Sequence, residues 1–153
     1  MHHLDPTDLR ILKAMQQDGS MTVSQIAERA GISQSPCSRR IQILTEKGII
    51  VGKTVELDHR KLGFDLVVET RVKLETHERA ALDAFKSAIQ AIPEVQSAFI
   101  MLGEFDFRLQ SVVRDIRHYQ SLLQDKLTSL PAVKEMQSSV VVEIVKNTSA
   151  LPL

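Results

Sequence analysis

Hydrophobic and polar positions along this chain change their period once, near residue 50. Before that point apolar residues recur at helical spacing; after it they alternate, with two further helical stretches inserted. Asp5-Pro6-Thr7-Asp8 predicts a helix start, with an aspartate cap, a proline in the first turn and an acid near the positive helix end. Leu9, Leu12 and Met15 mark one face of this helix, and Asp18-Gly19 ends it. Thr22-Val23-Ser24-Gln25 fits a capping box, in which Thr22 and Gln25 satisfy each other's free backbone amides. Ile26, Ala27 and Ala30 form the inward stripe of that second helix, and Gly31 supplies a left-handed stop. A third helix starts within Ser33-Gln34-Ser35-Pro36, turns Ile41 and Leu44 inward, and ends at Gly48.

Val51, Val55 and Leu57 then predict a linker strand, followed by a turn-rich connection around Gly63. Leu66, Val68, Thr70, Val72 and Leu74 alternate with Val67, Glu69, Arg71, Lys73 and Glu75, the signature of a half-buried strand. Leu82, Phe85, Ile89 and Ile92 fall at helical spacing before the stop at Pro93. Strands are predicted over 95–102 and 105–113, separated by Gly103-Glu104. Asp115 caps a further helix carrying Ile116, Tyr119, Leu122, Leu123 and Leu127 inward, and a final strand is expected over 140–145. The order β-α-β-β-α-β is the ferredoxin-like arrangement. The expected fold class is therefore α+β. A helix-turn-helix domain spans 1–50, a linker strand and hinge 51–65, the ferredoxin-like domain 66–147, and a loose tail 148–153.

Two helices cover one face of such a sheet, so a monomer's other face should be polar. With Val68, Phe107 and Val142 turned to the helices, Val67, Ala98, Ile100, Leu102, Val112, Val141 and Val145 face outward among Glu69, Arg71, Asp106, Arg108 and Glu143. That is more apolar surface than a small domain leaves in water. Either a bulge inverts some of these faces, or the face joins copies of the chain; self-association is the expectation.

Composition narrows the partners. The 19 basic and 19 acidic residues cancel, so any nucleic-acid surface must come from local placement of charge. No apolar run is long enough to span a bilayer, and the N-terminal ten residues have no apolar core for a secretory leader. A cytoplasmic location without membrane association is expected. The single cysteine excludes a disulfide framework, and the five histidines are scattered without acidic or thiol partners at ligand spacing, so neither metal nor cofactor is expected. Cys37, on the third helix, is expected to be a buried packing residue. There is no glycine-rich phosphate loop and no paired nucleophile and base, so the chain is not expected to be an enzyme.

The chemistry concentrates between Thr22 and Lys47, which have the layout of a helix-turn-helix. The first turns of the third helix carry Gln34, Ser35, Ser38, Arg39 and Arg40, with no acid before Glu46. Arginine can bridge guanine O6 and N7, glutamine can read adenine, and hydroxyls can bind phosphates or bases. Ser33 or Ser35 is expected to hold phosphate, and Gln34, Ser38, Arg39 and Arg40 to approach bases or backbone, with double-stranded DNA as the partner. An architectural DNA-binding role without an effector is the alternative; balanced charge weighs against it, because unspecific binding relies on many phosphate contacts.

Three stretches carry a resemblance. Leu4-Asp5, Asp8 and Ile11-Leu12 come first, then Ile26-Ala27 with Gly31-Ile32-Ser33, then Arg40-Ile41, Leu44 and Gly48-Ile49-Ile50. Together with the turn Gly103-Glu104-Phe105-Asp106, they are similar to the Lrp/AsnC (feast/famine) transcription regulators. The resemblance implies a winged-type helix-turn-helix domain, an effector-binding ferredoxin-like domain, homodimers that assemble to octamers, and a small amino acid as effector. It points to Met101, Leu102, Gly103, Glu104 and Asp106 as the effector turn, with Ser138 lining the site where the family often has threonine. Gly103 would let backbone amides approach the ligand, and Asp106 would accept from its ammonium group. Alternatively, the turn is a tight hairpin and Asp106 makes an interface salt bridge.

Overall fold

The computed structural model describes residues 4–153, which divide into two compact units, one of residues 4–56 with 146–153 and one of residues 57–145.

The first unit is built from α1 (Pro6–Gln17), α2 (Val23–Ala30) and α3 (Gln34–Glu46). Local chemistry sets their ends. Asp5 Oδ1 accepts from the amides of Thr7 and Asp8, each at 2.8 Å, capping α1. The capping box at α2 forms in both directions: the Thr22 amide donates to Gln25 Oε1 at 2.8 Å, and the Gln25 amide donates to Thr22 Oγ1 at 3.3 Å. Gly31, at φ +69°, occupies the left-handed position that ends α2 and aims the chain into α3. Ile11, Ala14, Ile26, Ala30, Cys37 and Leu44 meet in one small core. The strand expected at Val51, Val55 and Leu57 does not form: 51–57 runs without regular structure and fully exposed, because no strand lies alongside it to accept its backbone bonds. Residues 148–153, expected as a loose tail, also lack regular structure but are tied to α1, where the Leu151 amide donates to Gln16 Oε1 at 2.7 Å.

The second unit is a four-stranded antiparallel sheet in the order β2-β3-β1-β4, formed by β1 (Leu66–Leu74), β2 (Val95–Ile100), β3 (Phe107–Val113) and β4 (Val133–Val140). The crossovers are α4 (Arg79–Gln90) and α5 (Ile116–Leu122), the latter continued by a π turn at Leu123–Leu127. This is the expected βαββαβ order. Val68, Val72, Phe107, Leu109 and Val113 pack against Phe85, Ile89, Tyr119, Leu122 and Leu127, with the Phe85 and Phe107 rings 4.4 Å apart.

Several placements differ from expectation. The last strand runs over 133–140 rather than 140–145; the β-branched run beyond it is exposed, Val142 at 91% and Val145 at 90%. β4 pairs with β1, and past Val140 only one bond continues, from the Val141 amide to the Val67 carbonyl, because β1 itself begins at Leu66. Val142 therefore does not face the helices. On β2, a bulge between Val95 and Ser97 reverses the side-chain parity. Ala98 and Ile100 consequently pair with Leu109 and Phe107 on the helix side, while Phe99 pairs with Arg108 on the other. Leu102 lies in the turn beyond β2. Ile116, expected in the core, is half exposed at the first position of α5.

The face away from the helices thus carries Val67, Val112, Val141 and Phe99 around a polar centre. Glu69 receives Arg108 through Nε at 2.5 Å and Nη2 at 3.0 Å, and Gln110 at 3.1 Å. Arg108 also lies over the Phe99 ring at 5.8 Å. The guanidinium holds the Glu69 carboxyl below its ordinary pKa.

Candidate nucleic-acid interface and effector turn

α3 sorts its side chains by helical angle. Cys37 and Leu44 point into the core, and Ile41 flanks them. Gln34, Ser35, Ser38, Arg39 and Gln42 lie on the opposite side, exposed, and line a shallow groove of about 470 Å³. Five residues able to donate hydrogen bonds therefore share one helix face. Gln42 is the member that the sequence reading missed, although it stands four residues after Ser38 and eight after Gln34, the spacing that returns to the same face. Its amide is held by Glu46 Oε1 at 2.8 Å. Ser33 occupies the N-cap position without a side-chain cap bond, so the first amides of α3 keep their donor capacity. Arg39 makes no ion pair among the described residues.

Arg40 is placed differently from expectation. It stands three residues after Cys37 and four before Leu44, which puts it on the margin of the buried stripe. Its Nη1 lies 2.5 Å from Asp5 Oδ2 and 2.7 Å from Asp8 Oδ1, so the guanidinium is engaged with α1, although Arg40 and Arg39 both line the cavity beside Asp8. The pairing raises the Arg40 pKa. Asp5 is held below its ordinary value, first by the Asp8 amide and then by Arg40.

Cys37 is fully buried, and desolvation pushes its thiol pKa up.

In the second unit, residues 101–106 join β2 to β3. The turn is closed by the Met101 amide on the Asp106 carbonyl at 2.8 Å and by the Asp106 amide on the Val72 carbonyl at 2.9 Å. Met101, Leu102, Gly103 and Glu104 are exposed, Leu102 completely. Gly103 does not adopt a positive φ, and a Cβ there would meet nothing within 4 Å. The hairpin itself therefore does not require glycine at this position. Asp106 is more committed than expected: Oδ2 accepts from the Leu74 amide at 2.8 Å and Oδ1 meets His77 Nε2 at 2.7 Å. The Leu74 bond, and then His77, hold this carboxyl below its ordinary pKa. Ser138 is not brought to the turn. It sits on β4 opposite Thr70, two strands from β3, with Oγ 2.6 Å from the Tyr119 hydroxyl and 3.2 Å from Thr70 Oγ1.

A three-helix unit presenting one polar face of α3, linked to a ferredoxin-like unit, defines a helix-turn-helix protein with a second, ferredoxin-like domain. Residues 4–51 match the winged helix-turn-helix DNA-binding model and residues 68–151 the Lrp/AsnC ligand binding domain. The chain belongs to the Lrp/AsnC family of transcriptional regulators. It is 39% identical over 145 residues to a proline dehydrogenase transcriptional activator of Rhizobium radiobacter, covering 95% of this chain and 93% of the relative. A leucine-responsive regulatory protein of Haemophilus influenzae is 33% identical, covering 98% and 90%. Among solved structures, a transcriptional regulator of Neisseria meningitidis in complex with L-Met superposes with a TM-score of 0.93 at 33% identity, covering 98% of this chain and 97% of that one. No described helix is long and apolar enough to cross a membrane.

Proposed function

We propose that this regulator reads promoter DNA through the exposed face of α3 and that a free amino acid modulates how its DNA-reading units are presented. The observation that carries the reading is the separation of faces on α3: Gln34, Ser35, Ser38, Arg39 and Gln42 stand clear of the core that Cys37 and Leu44 fill. Ser33 and the first amides of α3 serve phosphates, and Arg39 with the amide side chains approaches base edges. Family membership favours this reading over an architectural role. The function is binding rather than catalysis, and its setting is the cytoplasm.

The second unit supplies assembly and sensing. Val112, Val141 and Phe99 form the centre of a two-fold contact between sheets of two copies, and dimers associate further, to octamers. The effector site is built at residues 101–106, where the space beside Gly103 is open and lets a carboxylate approach the backbone. Because Ser138 lies two strands from β3 and Asp106 is bonded within its own chain, the remaining ligand contacts come from a neighbouring copy. The amino acid then favours one arrangement of dimers, and that preference alters how several α3 helices fit one promoter. The L-Met in the Neisseria meningitidis relative supports an amino acid as the ligand class.

Two measurements test this. Selection from a random-sequence duplex pool should enrich one motif, with half-sites about 34 Å apart. Arg39→Ala should weaken binding to it by about 1–3 kcal/mol. Thermal-shift screening of the twenty amino acids should raise the melting temperature with at least one. No enriched motif overturns the DNA reading, and no shift with any amino acid overturns the effector reading.

A further inference from the structure

Arg40, Asp5 and Asp8 form a strut between α1 and α3. A single guanidinium nitrogen, Nη1, meets both carboxylates, at 2.5 Å and 2.7 Å. Asp5 divides its oxygens between two tasks: Oδ1 caps α1 through the amides of Thr7 and Asp8, and Oδ2 receives Arg40. The carboxylate that ends one helix therefore also holds the other. Isolated exposed pairs contribute little. Here the capping bonds already fix Asp5, and the Asp8 side chain is only 18% exposed, so little additional ordering is needed.

We propose that this three-residue strut sets the rotation and tilt of α3 against α1, so that Arg40 is a positioning residue for DNA reading and Asp5 and Asp8 are required for sequence selectivity. The proposal rests on α3 being the reading helix. It assigns two acids a favourable role beside a polyanion, which simple charge reasoning forbids. Base contacts depend on side chains held within fractions of an ångström, so a strut supporting the helix acts on selectivity more than on overall attraction. The competing account treats Arg40 as a DNA-contacting residue that the two acids hold in reserve. The two accounts predict opposite signs: removing the acids disorganises the reading helix in one and frees a cation for DNA in the other.

The test uses the full chain, a duplex that the wild-type protein selects from a random pool, and a scrambled duplex. Anisotropy titrations at several salt concentrations compare wild type with Asp5→Asn/Asp8→Asn, Arg40→Gln, the triple variant and Arg39→Gln. Asparagine keeps the α1 cap, so the double acid variant removes both charges that hold Arg40 without unravelling the helix. The double variant and Arg40→Gln should each lower the ratio of selected to scrambled affinity about tenfold, and the triple variant should be no worse than Arg40→Gln. The salt slope should stay at its wild-type value in these variants, whereas Arg39→Gln should flatten it by about one. Tighter binding of the selected duplex by the double acid variant would overturn the proposal, as would a slope flattened equally by Arg40→Gln. Amide exchange of DNA-free protein should quicken in the first turns of α1 and α3 in Arg40→Gln, and unchanged exchange would also overturn the strut. A pool that enriches no motif would instead strike at the reading role of α3, leaving the exchange measurement to judge the strut alone.

Discussion

His77 Nε2 and Asp106 Oδ1 meet at 2.7 Å just beyond the end of β1, and the other oxygen of Asp106 accepts the Leu74 amide at 2.8 Å. Leu74 is almost wholly buried, so its amide has little access to water as a substitute acceptor. Asp106→Ala should therefore destabilise the second unit by about 1–3 kcal/mol. Asp106→Asn retains an acceptor and should cost less. Urea denaturation of the two variants side by side checks the order.

The same carboxylate has a pH signature. Asp106, Glu69 and Asp115 are each held below their ordinary pKa, foremost by the Leu74 amide, by Arg108 and by the His118 amide respectively. Near pH 4 the unfolded chain binds more protons than the folded one, so stability rises with pH there. The melting temperature should accordingly hold above about pH 5 and fall as the pH drops through 4 and below. Asp106→Asn should flatten part of that fall. A curve identical to wild type would contradict the assignment.

The proposed contact between two copies would use the sheet face away from the helices. Val112→Asp or Val141→Asp would place an unpaired charge among Val67, Phe99 and the Glu69–Arg108 pair, and if copies join through this face should convert the proposed dimer to monomers in sedimentation at micromolar concentration. Ile100→Asp, on the helix side of β2, should leave the dimer intact.

Cys37 offers a chemical probe of the first unit. Full burial and the raised thiol pKa leave it unreactive, so thiol reagents at neutral pH should label it only as fast as the unit opens. DNA binding should be unaffected by mild peroxide. Rapid labelling of native protein would show the core around α3 to be open.

Local chemistry was legible in the sequence. The Asp5 cap, the Thr22–Gln25 box, the left-handed Gly31 and the Asp115 cap all formed where they were read, because each involves groups within a few residues of one another. The βαββαβ order was legible for the same reason, as each element announces itself by its own period. The polar face of α3 could be seen too, apart from Gln42.

Other features depended on distant partners. The β-branched run over 140–145 has strong strand character, yet the strand falls on the more polar 133–140 because that is where β1 offers hydrogen-bond partners. One bulge on β2 exchanged the faces of Phe99 and Ile100, and alternation alone cannot reveal where an extra residue enters a ladder. Asp106 looked available because its acceptor bonds come from Leu74 and His77, about thirty residues earlier. Arg39 and Arg40 were adjacent and chemically identical in the sequence. A rotation of 100° per residue, and two carboxylates more than thirty residues away, turn one toward solvent and tie the other to α1. The sequence by itself determined which segments form helices and strands and where the helices start, since those choices are made within a few residues. Only the tertiary structure decided which charged groups are left for a partner, since that depends on which other charges the fold brings within hydrogen-bond reach.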